Sequence, residues 1–194
     1  MKTKLTMAIL AMLFTFQLSI AQNYKIDPGH STVQIQVERF GVVDVVGRFK
    51  DVSGTIIFNN DDILKTSANA IIKVASYDAN NVGGEDAVKS KAFLDAVSFP
   101  EITFKGTKTE SKNGQNYLLG ELTIHGVTRS IELPFSIKGP LLDLPTRKQS
   151  IAFNASITIN RQDYEISFDR KLPNGTSLVS NKVKITLIVL ALAE

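Results

Sequence analysis

Residues 117–137 read YLLGELTIHGVTRSIELPFSI. Two alternations meet in this stretch. Leu118, Leu122 and Ile124 alternate with Leu119, Glu121 and Thr123; then Ile131, Leu133, Phe135 and Ile137 alternate with Ser130, Glu132, Pro134 and Ser136. Successive side chains of a strand point to opposite faces, so each run predicts a strand with one apolar face and one mixed or wet face. His125-Gly126-Val127-Thr128 makes the connection, with Gly126 free to take a positive φ. Pro134 has no N–H to donate, so its strand should present that side to an edge, a bulge or solvent. A lone hairpin is unstable in water. The rest of the chain must supply partner strands.

Working outward, Asn113-Gly114 predicts a hairpin turn back to a strand over 101–109, which follows Phe99-Pro100. On the other side Gly139-Pro140 ends the second strand, and 141–148 is a loop with surplus apolar residues, Leu141, Leu142 and Leu144. A strand over 149–161 carries Ile151, Phe153, Ala155, Ile157 and Ile159 on one face; a loop over 162–177 leads to a last strand over 178–192. Toward the N-terminus, residues 24–30 form an extended lead-in ended by the turn Asp27-Pro28-Gly29. Strands follow over 31–39, with Val33, Ile35 and Val37 on one face, and over 45–58, with Gly47 and Gly54 as bend points. A third covers 65–77, with Ala68, Ala70, Ile72 and Val74 on one face. Residues 85–95 are the one predicted helix, short enough to need docking on the sheet. The chain thus reads as all-β, eight antiparallel strands and one short helix. A closed barrel removes both sheet edges. A two-sheet sandwich has the same strand budget, but the length of the strands favours a deep, tilted barrel.

Residues 1–21 read as a cleaved secretory leader. Lys2 and Lys4 precede an apolar run, and Ser19 and Ala21 stand at the −3 and −1 positions of a small-residue cleavage site. The run is shorter than the roughly 20 residues that a spanning helix needs. One domain, 22–194, is expected outside the cytoplasm, periplasmic or secreted. Losing Lys2 and Lys4 lowers the formal charge from +3 to +1. With no dense basic run, nucleic acid is not an expected partner. The chain has no cysteine, which excludes disulfides, thiolate zinc and a thiol nucleophile.

Five stretches carry a resemblance. YKIDPGHSTVQIQV, GRFKDVSGTIIF, SKAFLDAVSFPEITFKG and GELTIHGVTRSIELPF occur in that order, followed by Ile159-Asn160-Arg161 with Asp163-Tyr164. Together they resemble the YceI-like family, the polyisoprenoid-binding periplasmic proteins. The resemblance implies a lipocalin-like antiparallel barrel with a long apolar tunnel. It also implies a polyisoprenoid or other long-chain amphiphile as ligand, frequent homodimers, and no general catalytic activity. The chain departs from the family at Gly84-Glu85-Asp86-Ala87-Val88, where many members have Arg-Asp/Asn-x-His-Leu, and at Arg39, where many have His.

The candidate tunnel lining is Val33, Ile35, Val37, Phe49, Phe58, Ala70, Ile72, Phe93, Phe104, Leu122, Phe135 and Phe153. Ala68, Ala70 and Ala155 on an apolar face leave room for a chain. Burial favours a long-chain ligand by about 0.8 kcal/mol per CH₂. Arg39, Arg129 and Arg161, near turns or strand ends, are the candidates for an anionic head group. Catalysis finds little support. There are two histidines, His30 and His125, without HxH, HExxH or GxSxG spacing. The reading is a binding protein without cofactor or metal, and an interaction module built as a sandwich is the alternative. Loop 141–144 is left as a lid, a dimer contact or a transient membrane contact.

Overall fold

In the computed structural model, residues 21–194 are described. The expected leader lies outside the described residues except for Ala21. The strands are β1 (Gln22–Ile26), β2 (Thr32–Arg39), β3 (Val43–Phe49), β4 (Val52–Phe58), β5 (Ser67–Lys73), β6 (Tyr77–Asp78), β7 (Glu101–Lys112), β8 (Gln115–Ile124), β9 (Val127–Leu142), β10 (Gln149–Asn160) and β11 (Val179–Ala193); the helix is α1 (Val82–Lys89).

The opening stretch is the β8–β9 hairpin, in register from Asn116↔Phe135 to Ile124↔Val127. His125 and Gly126 both have positive φ, 51° and 76°. That is the two-residue turn whose twist matches the flanking strands. Leu118, Leu122, Ile124, Leu133 and Phe135 are all buried. The β9–β10 ladder starts only at Phe135↔Ala155. Pro134 therefore stands at the edge where that ladder stops, a place that tolerates a residue without an N–H.

Eight strands close in the order β1-β4-β5-β7-β8-β9-β10-β11, and the pairs Tyr24↔Ala193 to Ile26↔Ala191 join the last to the first. All neighbours are antiparallel. Ring closure makes this a barrel and excludes the sandwich.

Two of the expected strands are bent into two pieces, and the chain also bends at its first turn. The lead-in is itself strand β1, and β2 continues it beyond a turn. There Asp27 Oδ1 accepts the Gly29 N–H at 2.9 Å, and Pro28 has no N–H for a ladder. The expected strand over 45–58 begins at Val43 and breaks at Lys50-Asp51 into β3 and β4, not at Gly47 or Gly54. Strand β5 bends through a single 3-10 turn, Val74–Ser76, into β6. The far pieces β2, β3 and β6 extend the wall along β11, from Thr32↔Ile188 to Arg39↔Val179.

The helix sits three residues earlier than expected and is shorter. The Asn81 side chain accepts the Gly84 N–H and caps its start, and the Ser90 N–H bonds the Ala87 carbonyl at its end. Strand β9 runs through Gly139-Pro140 to Leu142, beside a bulge between Ser150 and Ala152. It does not end at Gly139 as expected.

Candidate functional site

Inward side chains fill one end of the barrel and leave the other hollow. At the filled end Tyr24 packs on Phe58 with centroids 6.3 Å apart, and Phe135 stacks on Phe153 at 5.1 Å. A polar floor completes it. Thr109 Oγ1 donates to the Thr66 carbonyl at 2.7 Å, and Asn59 Oδ1 accepts the N–H groups of Asp61 and Asp62.

The other end encloses a cavity of about 400 Å³. Strands β2, β5, β7, β8, β10 and β11 each give it alternate aliphatic or aromatic side chains. Helix α1 covers the side where β6 and β7 are not paired, through Gly84, Ala87 and Val88. Those positions fall in the stretch where the chain departs from the family pattern, and they present apolar atoms to the cavity. Phe93, after the helix, meets Phe168, from the loop before β11, with centroids 4.8 Å apart. The exposed lining residues Arg39, Asn81 and Ala87 mark the mouth.

Of the twelve expected lining residues, Val33, Ile35, Val37, Phe49, Ala70, Ile72, Phe93, Phe104 and Leu122 border this cavity. Phe58, Phe135 and Phe153 do not; they are buried in the filled end. Alternation along a strand says which face a residue takes but not its height in the barrel.

The three arginines separate. Arg39 is at the mouth, its guanidinium 4.1 Å from the Phe40 ring centroid. Arg129 lies outside the cavity and donates from Nε to the Asp163 carbonyl at 2.9 Å. Arg161 borders the cavity but is only 4% exposed. Its Nε donates to the Ser180 carbonyl at 3.1 Å, Nη1 to Ile166 at 2.6 Å and Nη2 to Phe168 at 2.6 Å. That guanidinium pins the 161–168 segment to β11, which removes it as a head-group donor. Burial holds it below its usual pKa.

Tyr77, Ile166, Phe168 and the α1 residues Gly84, Ala87 and Val88 also border the cavity, outside the expected lining. Tyr77 lies over Gly47, where an added Cβ would come within 2.1 Å of the phenol oxygen, and it packs on Phe49 at 5.2 Å. A small residue opposite an aromatic was the available signal. For Ile166 and Phe168 the signal was a short alternation inside the expected loop, Tyr164, Ile166 and Phe168 against Glu165, Ser167 and Asp169. The cavity-lining Ile157, Ile159, Ile185 and Leu187 were legible from alternation.

The two histidines stand in different loops. His30 Nδ1 is 2.7 Å from Asp27 Oδ2; the His125 ring packs on Phe99 at 4.4 Å. The His30 hydrogen bond holds the Asp27 carboxyl below its usual range. Among the described residues, no group of three or more His, Cys, Asp or Glu is placed to hold a metal ion.

A family model described as the YceI-like domain matches residues 24–191. A UPF0312 protein from Yersinia pestis (strain Pestoides F) is 30% identical over 171 residues, spanning 87% of this chain and 88% of the relative. Among solved structures, Burkholderia cenocepacia BcnA is similar with TM-score 0.74 at 24% identity, covering 86% of this chain and 99% of that one. The Campylobacter jejuni YCEI protein gives 0.68 at 25% identity, over 79% and 87%. A polyisoprenoid binding domain from Saccharophagus degradans, implicated in plant cell wall breakdown, gives 0.68 at 13% identity, over 90% and 100%. The barrel and its ordered motifs agree with the match along almost the whole described chain: this protein belongs to the YceI-like family.

Proposed function

We propose that the protein is an exported carrier that holds a polyisoprenoid or other long-chain amphiphilic lipid in the barrel cavity, for transport, storage or sequestration. The observation that carries this is the lining. Among the described residues, no Asp, Glu, His, Lys, Ser or Thr borders the cavity. Its two cations are Arg39 at the mouth and Arg161, already bonded to three carbonyls. Burial pushes the Tyr77 phenol up, away from ionisation. Such a site offers apolar burial but no nucleophile–base pair, which favours binding over catalysis. A volume of about 400 Å³ is within the usual range of ligand sites. The likeness to a polyisoprenoid binding domain supports the same reading. The nine expected residues that border the cavity contact the chain of the ligand, and Arg39 meets its head group.

The chain has no Trp, so fluorescence from a bound polyene fatty acid is read against a low background. Delipidated protein should bind that probe saturably, and a polyprenol should displace it. No saturable binding above that of unfolded protein would contradict the proposal.

A further inference from the structure

The β9–β10 hairpin tip is far from the cavity and joins exposed leucines to cations; Val42, Val43 and Val46 form a second exposed aliphatic cluster, at the β2–β3 turn. Leu141, Leu142 and Leu144 are 73%, 46% and 74% exposed within four residues. Lys138, Arg147 and Lys148 flank them, and none of these three forms an ion pair among the described residues. The tip's acid, Asp143, is held in the turn, where its carboxylate accepts the Thr146 N–H at 3.0 Å and hydroxyl at 2.5 Å. The Asp143 N–H also bonds the Lys148 carbonyl, and the Arg147 N–H the Asp143 carbonyl, both at 2.8 Å. The leucines are thus presented on a stapled turn, with a collar of free cations behind them.

We propose that this tip is a docking surface for an anionic lipid bilayer. Leu141 and Leu144 enter the apolar boundary, while Lys138, Arg147 and Lys148 meet anionic head groups. A lid is excluded by position. No residue of the tip borders the cavity, and Ser150 pairs with Leu192 at the opposite end of β11 from Val179, which pairs with Arg39 at the mouth. A two-fold contact between copies would bring the same cations against each other. An anionic bilayer instead complements both the charge and the apolar tip. The inference does not depend on what the cavity holds. Docking through this end leaves the mouth uncovered.

The test is co-sedimentation of the purified protein with vesicles of mixed phosphatidylglycerol and phosphatidylcholine, and with phosphatidylcholine alone. The protein should bind the mixed vesicles and leave the neutral ones. Lys138→Gln/Arg147→Gln/Lys148→Gln should lower the partition coefficient by about 100-fold, from about tenfold or less per cation. Leu141→Ser/Leu144→Ser should lower it by at least about tenfold, and both variants should keep the wild-type melting temperature. Equal binding to neutral vesicles, no binding to either, or undiminished binding by the variants would overturn the proposal. So would a dimer seen by light scattering that Leu141→Ser/Leu144→Ser dissolves.

Discussion

Replacing Arg161 separates a structural rivet from a ligand contact. The side chain is 4% exposed and donates to three carbonyls at 2.6–3.1 Å, with a fourth, that of Val179, at 3.4 Å. Hydrogen bonds from a charged donor contribute about 1.5–3 kcal/mol each before the cost of desolvating the guanidinium. Arg161→Ala leaves no charge behind, but it leaves three buried carbonyls each short of a donor, at about 1–3 kcal/mol apiece. For Arg161→Ala we therefore expect a loss toward the low end of that sum, about 4 kcal/mol, because the backbone acceptors keep their second lone pair for water. With a urea slope of about 2 kcal/mol per M, the midpoint should fall by about 2 M. Arg161→Lys keeps the charge but cannot span acceptors on both the 166–168 segment and β11. It should recover less than half of the loss. The assay is equilibrium urea unfolding followed by circular dichroism. An Arg161→Ala protein within about 1 kcal/mol of wild type would refute the reasoning. If that stable variant also lost its lipid, Arg161 would be a head-group ligand after all.

Three further outcomes follow from the geometry. Gly126→Ala places a Cβ at φ +76°, 2.6 Å from the Phe99 ring; it should cost about 1–3 kcal/mol by thermal unfolding, while Gly114→Ala, whose φ is also positive but whose Cβ meets nothing within 4 Å, should cost less. Ala70→Phe, which puts a ring into the cavity, should at least halve the lipid recovered per mole of protein, with a stability change of about 1–3 kcal/mol. Asp27 is held below its ordinary value of 3.8 in the folded state, so the His30–Asp27 contact stabilises above that value and loses its effect as pH falls through the lower, folded one. The difference in melting temperature between wild type and Asp27→Asn should accordingly shrink as pH falls below about 4, and a difference constant from pH 7 to pH 3 would count against it.

The sheet was legible because one face of almost every strand is buried, so a period of two was written into the residues. The hairpin 117–137, the strands over 149–161 and 178–192, and ring closure all came from that pattern together with the strand lengths. The breaks were not legible. Across Lys50-Asp51 the apolar residues continue on both sides, and the chain turns because β3 follows β2 while β4 follows β1, a tertiary demand. The helix start was missed because Val82-Gly83-Gly84 is a poor helix sequence, and only the Asn81 cap and docking beside the cavity hold it. In the site, Phe58, Phe135 and Phe153 share their pattern with Phe49 and Phe104. What separates them is their level along the barrel, which depends on strand tilt and shear. Arg161 shows a different limit. A cation near a strand end reads as a surface charge, and nothing local reveals the carbonyls of 166, 168 and 180 that surround it.

Mass spectrometry of an organic extract, taken from protein purified natively after export and set against a mock purification, shows what the barrel carries. A carrier with one cavity should yield a long-chain lipid at about one per chain, and the mature protein should begin at Gln22. An extract from correctly folded protein with no lipid above the mock level, and no uptake when polyprenol is added to that protein, would contradict a carrier role.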